Sequence, residues 1–122
     1  MIRLDRAITR MHSAVRERMV ERYPRLRDGR EVVRMLTDDV KRLGARDSRV
    51  VPGSTLRVRL RMRLDREGVP DSIQVVTPGT PGPFRRAAIR AARRLRFRPA
   101  RLHGRPVPVW IELPLTFRIP PR

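Results

Sequence analysis

Four arginines stand two residues apart at Arg57, Arg59, Arg61 and Arg63, interleaved with Leu56, Val58, Leu60, Met62 and Leu64. At that spacing the guanidinium groups share one face of a β-strand, because successive side chains point to opposite sides. Such a row offers charge-assisted, often bidentate hydrogen bonds to carboxylates or phosphates. Its bland alternative is a solvated sheet face. Reaction chemistry has less to stand on. His12 and His103 are the only histidines, the first expected on the polar side of a helix and the second in a loop. Asp38 and Asp39 are adjacent. Neighbours on a helix do not face each other, so this pair makes a poor carboxylate dyad and reads as solvated helix surface. There is no HExxH zinc pattern, no phosphate-cradling glycine loop and no nucleophile elbow. The chain has no cysteine, which excludes thiol catalysis, disulfides and thiolate-bound zinc. The residue types point to binding, with no catalytic site, no metal and no cofactor.

The charge supports that direction. Thirty basic residues face 12 acidic ones in 122 positions, a net charge of +18, and Lys41 is the only lysine. Residues 1–49 carry 14 basic and 8 acidic side chains, whereas residues 50–122 carry 16 and 4, so the second part bears most of the field. A surface this basic attracts phosphates, anionic lipid and acidic protein surfaces, and salt screens the attraction. The length allows one modest core. With only 4% aromatic residues, that core must be built from aliphatic side chains. No apolar run approaches the roughly 20 residues of a membrane span. The N-terminus lacks the apolar centre of a signal peptide, so the chain reads as soluble.

Two kinds of element must position these residues. In residues 1–49, Leu4, Ile8, Met11, Val15 and Met19 recur at helical spacing, predicting a helix from about Ile2 to Tyr23 that Pro24 stops. It holds six arginines and three acids, a mixture that suits packing against the second helix, the β-rich part or a second copy of the chain better than a membrane surface. Val32, Val33, Leu36, Val40 and Leu43 predict a second amphipathic helix, with Gly44 as its C-cap. Past the breaker at Val51–Ser54 the period changes to two. The run Leu56–Leu64, a turn at Asp65–Gly68 and the run Val69–Thr77 read as a hairpin. A proline- and glycine-rich loop at residues 78–83 leads into a helix whose buried face holds Phe84, Ala88, Ala91 and Leu95. Arg98-Pro99 ends that helix. Residues 107–119 then alternate apolar and polar as one long strand. Residues 50–122 thus read β-β-α-β, a two-layer α+β domain with the apolar faces of all three strands against the alanine-rich helix.

The last strand carries two prolines, Pro108 and Pro114, six residues apart and addressing the same lateral side. Neither has an N–H to donate, and prolines in sheets are confined mainly to edges. The strand is therefore expected at an edge, with odd-numbered residues pairing inward. Trp110, Glu112 and Thr116, with their neighbours Val109 and Ile111, form a template for adding one extended peptide. Equally, the prolines can simply protect that edge from aggregation.

Four stretches follow one another in order: Leu64-Asp65-Arg66-Glu67-Gly68 at the hairpin turn, Arg86-Ala87-Ala88-Ile89-Arg90-Ala91-Ala92 in the helix, Arg96-Phe97-Arg98-Pro99-Ala100 at its exit, and Gly104-Arg105-Pro106-Val107 leading into Leu113-Pro114-Leu115-Thr116-Phe117. In this order and spacing they resemble the C-terminal domain of the TonB family of energy transducers. The likeness covers roughly residues 55–119. It implies a non-enzymatic periplasmic or cell-envelope domain that couples an inner-membrane motor to outer-membrane receptors by adding a receptor's extended segment to its sheet. Departures accompany it. This chain shows no N-terminal membrane helix and no long proline-rich spacer, and Leu95 stands where an aromatic residue is common. It is then either a piece of a longer anchored protein or the same domain reused in a soluble one. The expected function is capture of an extended, acidic protein segment, with Arg57, Arg59, Arg61 and Arg63 contacting its charge. The alternative is a basic nucleic-acid-binding protein using the arginine face. Trp110 is the only aromatic expected there, which is poor for stacking bases.

Overall fold

The computed structural model describes residues 2–4, 22–46 and 50–121, the first three by their backbone alone. The elements run β1 (Ile2–Leu4), β2 (Arg25–Leu26), α1 (Arg30–Arg46), β3 (Thr55–Leu64), β4 (Pro70–Val75), α2 (Gly82–Ala92), β5 (Phe97–Arg98), β6 (Ala100–Leu102), β7 (Arg105–Val107) and β8 (Val109–Arg118). Four of them form an antiparallel sheet in the order β1-β8-β3-β4. The alternating pattern of β3 places Val58, Leu60, Met62 and Leu64 on the dry face, and Val109, Ile111, Leu113, Leu115 and Phe117 of β8 meet them there. Over that face lie α1, through Val32, Leu36 and Val40, and α2, through Phe84, Ala87, Ala88, Ala91 and Ala92. The result is the expected two-layer α+β arrangement.

The hairpin β3–β4 turns at Asp65–Gly68, where the Asp65 side chain accepts from the N–H groups of Glu67 and Val69 at 2.8 and 2.9 Å. Gly68 has φ +80°, and a Cβ there would stand 1.9 Å from the carbonyl oxygen of Phe97. The same two residues are joined by a hydrogen bond from Phe97 N–H to Gly68 O at 3.0 Å. This close approach fastens the helix exit to the hairpin turn. α2 ends earlier than expected, at Ala92. Bonds from Arg94 N–H to Ala91 O and from Leu95 N–H to Ala92 O tighten its last turn into a 3₁₀ form, and Leu95 is buried just beyond it.

Several expectations change. Residues 2–4 are a strand and Arg22 bridges to Arg101, so a continuous helix from Ile2 to Tyr23 does not hold at either end. The interior stripe from Ile8 to Met19 and His12 lie outside the described residues. Gly44 does not cap α1. The helix runs on to Arg46, and Gly44 sits in it against Ile119, whose Cγ2 would lie 3.2 Å from an added Cβ. The last strand is two elements. β7 pairs with β6 across a turn in which His103 and Gly104 take positive φ, and β8 begins after Pro108. A missing N–H at Pro108 suits that break. Asp39 is not solvated surface: it is 8% exposed, pairs with Arg42 one turn on, and meets Arg90 Nη2 of α2 at 3.2 Å. It ties the two helices together.

Two outcomes are expected. Ala91 is 2% exposed against the sheet, so Ala91→Leu overpacks the layer and lowers the unfolding free energy by roughly 1–3 kcal/mol in denaturant titration. Asp28 stands just before α1, where the Arg30 guanidinium, at 2.9 Å, and the Arg30 N–H, at 3.1 Å, donate to it and hold its carboxyl down at about 2. Its folded pKa is depressed, so its contribution is present above the ordinary value near 3.8 and is lost as the pH falls through about 2. The stability difference between wild type and Asp28→Asn, followed by circular dichroism, should shrink over that window and vanish below it.

Candidate functional site

The outer edge of β8 is built by its pairing with β3, from Thr55 opposite Arg118 to Leu64 opposite Val109 without a register shift. Ile119 N–H donates to Ser54 O at 2.8 Å, toward β3. On β3, Arg59 N–H donates to Thr77 Oγ1 at 2.7 Å and Arg59 O accepts from Val76 N–H at 2.9 Å, toward β4. In an antiparallel ladder these directions alternate. Odd-numbered N–H groups of β8 therefore face β3, and those of Trp110, Glu112 and Thr116 face the other way. Pro108 and Pro114 fall on that outer side, where they remove donors from no inner hydrogen bond.

That side is not bare along its whole length. β1 pairs antiparallel with β8, with Ile2 opposite Phe117, Arg3 opposite Thr116 and Leu4 opposite Leu115. The expectation of an edge strand is thus corrected at its C-terminal third, where the chain's own N-terminal strand occupies the outward groups of Thr116. Among the described residues the pairing runs as far as Leu115, next to Pro114, which has no donor. From Val109 to Leu113, no strand among the described residues follows the outer side of β8. Val109 and Ile111 differ from their expected part. Both side chains are fully buried in the core and both N–H groups face β3, so they hold the register and present nothing to a partner.

The solvent face of the sheet carries the arginines in register with the even residues of β8: Arg57 opposite Thr116, Arg59 opposite Pro114, Arg61 opposite Glu112 and Arg63 opposite Trp110. Here the sequence pattern missed the partners. Glu112 is 7% exposed although it lies on the outer face, with Arg61 Nη2 at 3.7 Å and Arg59 Nε at 4.0 Å from its two oxygens. Arg63 pairs with Asp71 of β4. The Glu112 contacts needed the register between β3 and β8, far apart in the chain, and the Asp71 pair needed the register within the hairpin β3–β4. Arg61 Nε is buried without a hydrogen-bond partner. Where β4 stops short of the end of β3, an open depression of about 510 Å³ brings Arg57 and Arg59 together with Thr77, Pro114 and Thr116. It joins the arginine face to the outer edge of β8. Among the described residues, no group of three His, Asp or Glu side chains comes together and no helix is long and apolar enough to cross a membrane.

The family model described as Gram-negative bacterial TonB protein C-terminal matches residues 53–119, more than half of the 122-residue chain. No curated protein and no solved structure matches it. The matched span begins just before β3 and ends just after β8, and so contains the hairpin, α2 and the strand with the outward-facing edge.

Glu112 partly neutralises a row of like charges that would otherwise repel along one strand. Replacing it with Gln should lower stability by roughly 1 kcal/mol, since the arginines are half exposed and screened. The loss should shrink as salt is raised from 50 to 500 mM, on the order of the change in screening length from well above 10 Å to below it. A salt-independent loss in thermal melts would mean that the carboxylate acts through packing alone.

Proposed function

Since the chain belongs to the TonB C-terminal family, whose domain is a non-enzymatic protein-interaction module, we propose that it captures an extended segment of a partner protein by adding it as a strand to the outer edge of β8. The observation that carries this reading is β1. A three-residue strand of the chain itself pairs antiparallel with this edge at Leu115–Phe117, which supports an edge able to accept a strand. β1 is short enough to exchange, because a ladder of three residues closes few hydrogen bonds. Strand addition reads backbone, and specificity comes from the pockets beside it. The depression holding Arg57 and Arg59 lies beside Thr116 and suits an acidic side chain of the incoming segment. Trp110 supplies the one large aromatic surface at the other end of the strand. By the family's role, the partner is a segment of an outer-membrane receptor and the setting is the cell envelope.

The arginine face favours this over a nucleic-acid surface. Arg59, Arg61 and Arg63 each face a carboxylate of the chain itself, and Trp110 is the only aromatic in the row, so neither the charge nor the stacking of a single-strand platform is assembled.

Extended peptides with an acidic bias, selected for binding, provide the test. Hydrogen exchange with a selected peptide should show added protection at Trp110. Thr116→Pro removes an outward N–H while leaving the β3 ladder its donors, and should weaken binding by up to about tenfold, the loss of one backbone bond. Removing residues 1–4 should strengthen binding. A peptide that protects α2 instead and is indifferent to both changes would refute strand addition here.

A further inference from the structure

Away from the sheet edge, residues 22–27 run antiparallel to residues 96–101. Arg22 lies opposite Arg101, Arg25 opposite Arg98 and Leu26 opposite Phe97, and Arg27 N–H donates to Arg96 O at 2.8 Å. By this one register Pro24 falls opposite Pro99. Neither has an N–H, so the ladder is interrupted there and the ribbon divides into a bridge and the short pair β2–β5. Two of the bridged pairs, Arg22/Arg101 and Arg25/Arg98, are arginine against arginine, and the same register sets Arg27 opposite Arg96. Like charges directly opposite on neighbouring strands are destabilising. Residues three apart would face opposite sides of an unbroken ribbon, yet both pairs line one cavity of about 500 Å³, together with Arg27 and Tyr23. Among the described residues, none of these five arginines has a carboxylate within ion-pair distance; the only side-chain hydrogen bond in the group is from Arg101 Nη1 to the carbonyl of Gly104 at 3.0 Å.

The arrangement is held by the ribbon's other side. Phe97 is fully buried, Leu26 packs on the core, Ala100 and Leu102 are buried, and Phe97 N–H is bonded to Gly68 O. Apolar burial and the hairpin turn thus hold five arginines around one space. A guanidinium has five donors and no acceptor, so the cavity offers donors and positive charge. Each cross-strand pair brings two arginines to the lining of the same cavity. A carboxylate brings one negative charge to such a pair, whereas a phosphomonoester brings about 1.5–2 on one compact group with three acceptor oxygens. The space falls in the range of about 300–1,000 Å³ usual for small-ligand sites.

We propose that this ribbon is a binding site for a compact, multiply charged phosphate group, as in pyrophosphate or a phosphomonoester, bridged by the pairs Arg22/Arg101 and Arg25/Arg98, with the Tyr23 hydroxyl and Arg27 at its rim. The site is separate from the outer edge of β8 and does not depend on it.

The test uses the full chain. Pyrophosphate titrated by calorimetry at about 150 mM salt, where surface charge is screened beyond roughly 8 Å, should bind with one-to-one stoichiometry and raise the melting temperature. Arg25→Gln/Arg98→Gln should weaken binding about tenfold or more, because charge-assisted hydrogen bonds are lost. The same double variant, without ligand, should melt higher than wild type at low salt, since a repulsive pair has been removed; this also shows that it is folded. Arg57→Gln/Arg59→Gln, on the sheet face, should leave pyrophosphate binding unchanged. Vesicles carrying phosphatidic acid, set against vesicles carrying phosphatidylglycerol, identify the source: selective binding to the former assigns a phosphomonoester headgroup, and binding of pyrophosphate with no vesicle preference assigns a free phosphate. Equal weakening by both double variants, stoichiometry above one, or displacement of pyrophosphate by an equal charge of polyglutamate would overturn the proposal in favour of diffuse charge or an acidic protein.

Discussion

Ten residues of β3 lie opposite ten of β8, and because the pairing has no bulge, one choice of register decides every other relationship in the domain. Slipping it by one residue would send the apolar side chains of β8 to the solvent face and set Trp110 and Glu112 against the helices. With the register fixed, the even residues of β3 and the odd residues of β8 make one continuous dry surface. α2 can lie on it closely because its facing positions are Ala87, Ala88, Ala91 and Ala92, and Phe84 closes one end against Phe117 at 6.4 Å between ring centroids. The arginine row, the neutralising Glu112 and the direction of each backbone donor follow from the same pairing.

Missing N–H groups then shape what the sheet can do. Pro108 separates β7 from β8, Pro114 adjoins the β1 pairing at Leu115, and Pro24 with Pro99 interrupts the ribbon between residues 22–27 and 96–101. In each case proline sits where an inner ladder bond is not required. The outcome is an outer edge divided into short stretches, which resists indiscriminate sheet growth and still admits a short strand. Protection from aggregation and the proposed capture of a partner would therefore be the same device at different lengths of strand.

Local period carried most of the fold into view: the arginine alternation, the turn at Gly68, the alanine face of α2 and the second half of the N-terminal segment all read directly from spacing. What spacing could not show was long-range. That residues 2–4 return to pair with Thr116 depends on a contact more than a hundred positions away in the chain, and Leu4 carries the same apolar signal in a strand as in a helix. Asp39 looked like helix surface because its partner Arg90 belongs to another helix. Glu112 looked like an outward residue, as it is, but it is buried, with Arg59 and Arg61 of the neighbouring strand beside it. The orientation of the outer edge was legible from the two prolines; its partial occupancy was not.

The charge distribution separates attraction from selection. Acids are placed where the fold needs them: Asp28 at the start of α1, Asp39 between the helices, Asp71 and Glu112 among the sheet arginines. Most of the +18 is left to act at a distance, which at physiological salt means within roughly 8 Å and mainly through the rate of encounter. In the strand addition proposed above, a backbone ladder would fix an incoming strand but read no sequence. Discrimination would then come from side chains beside the ladder, and along β8 those are the arginine-lined depression at one end and Trp110 at the other. An extended segment carrying an acidic side chain and an apolar one at the matching separation would satisfy both, and a merely acidic chain would not.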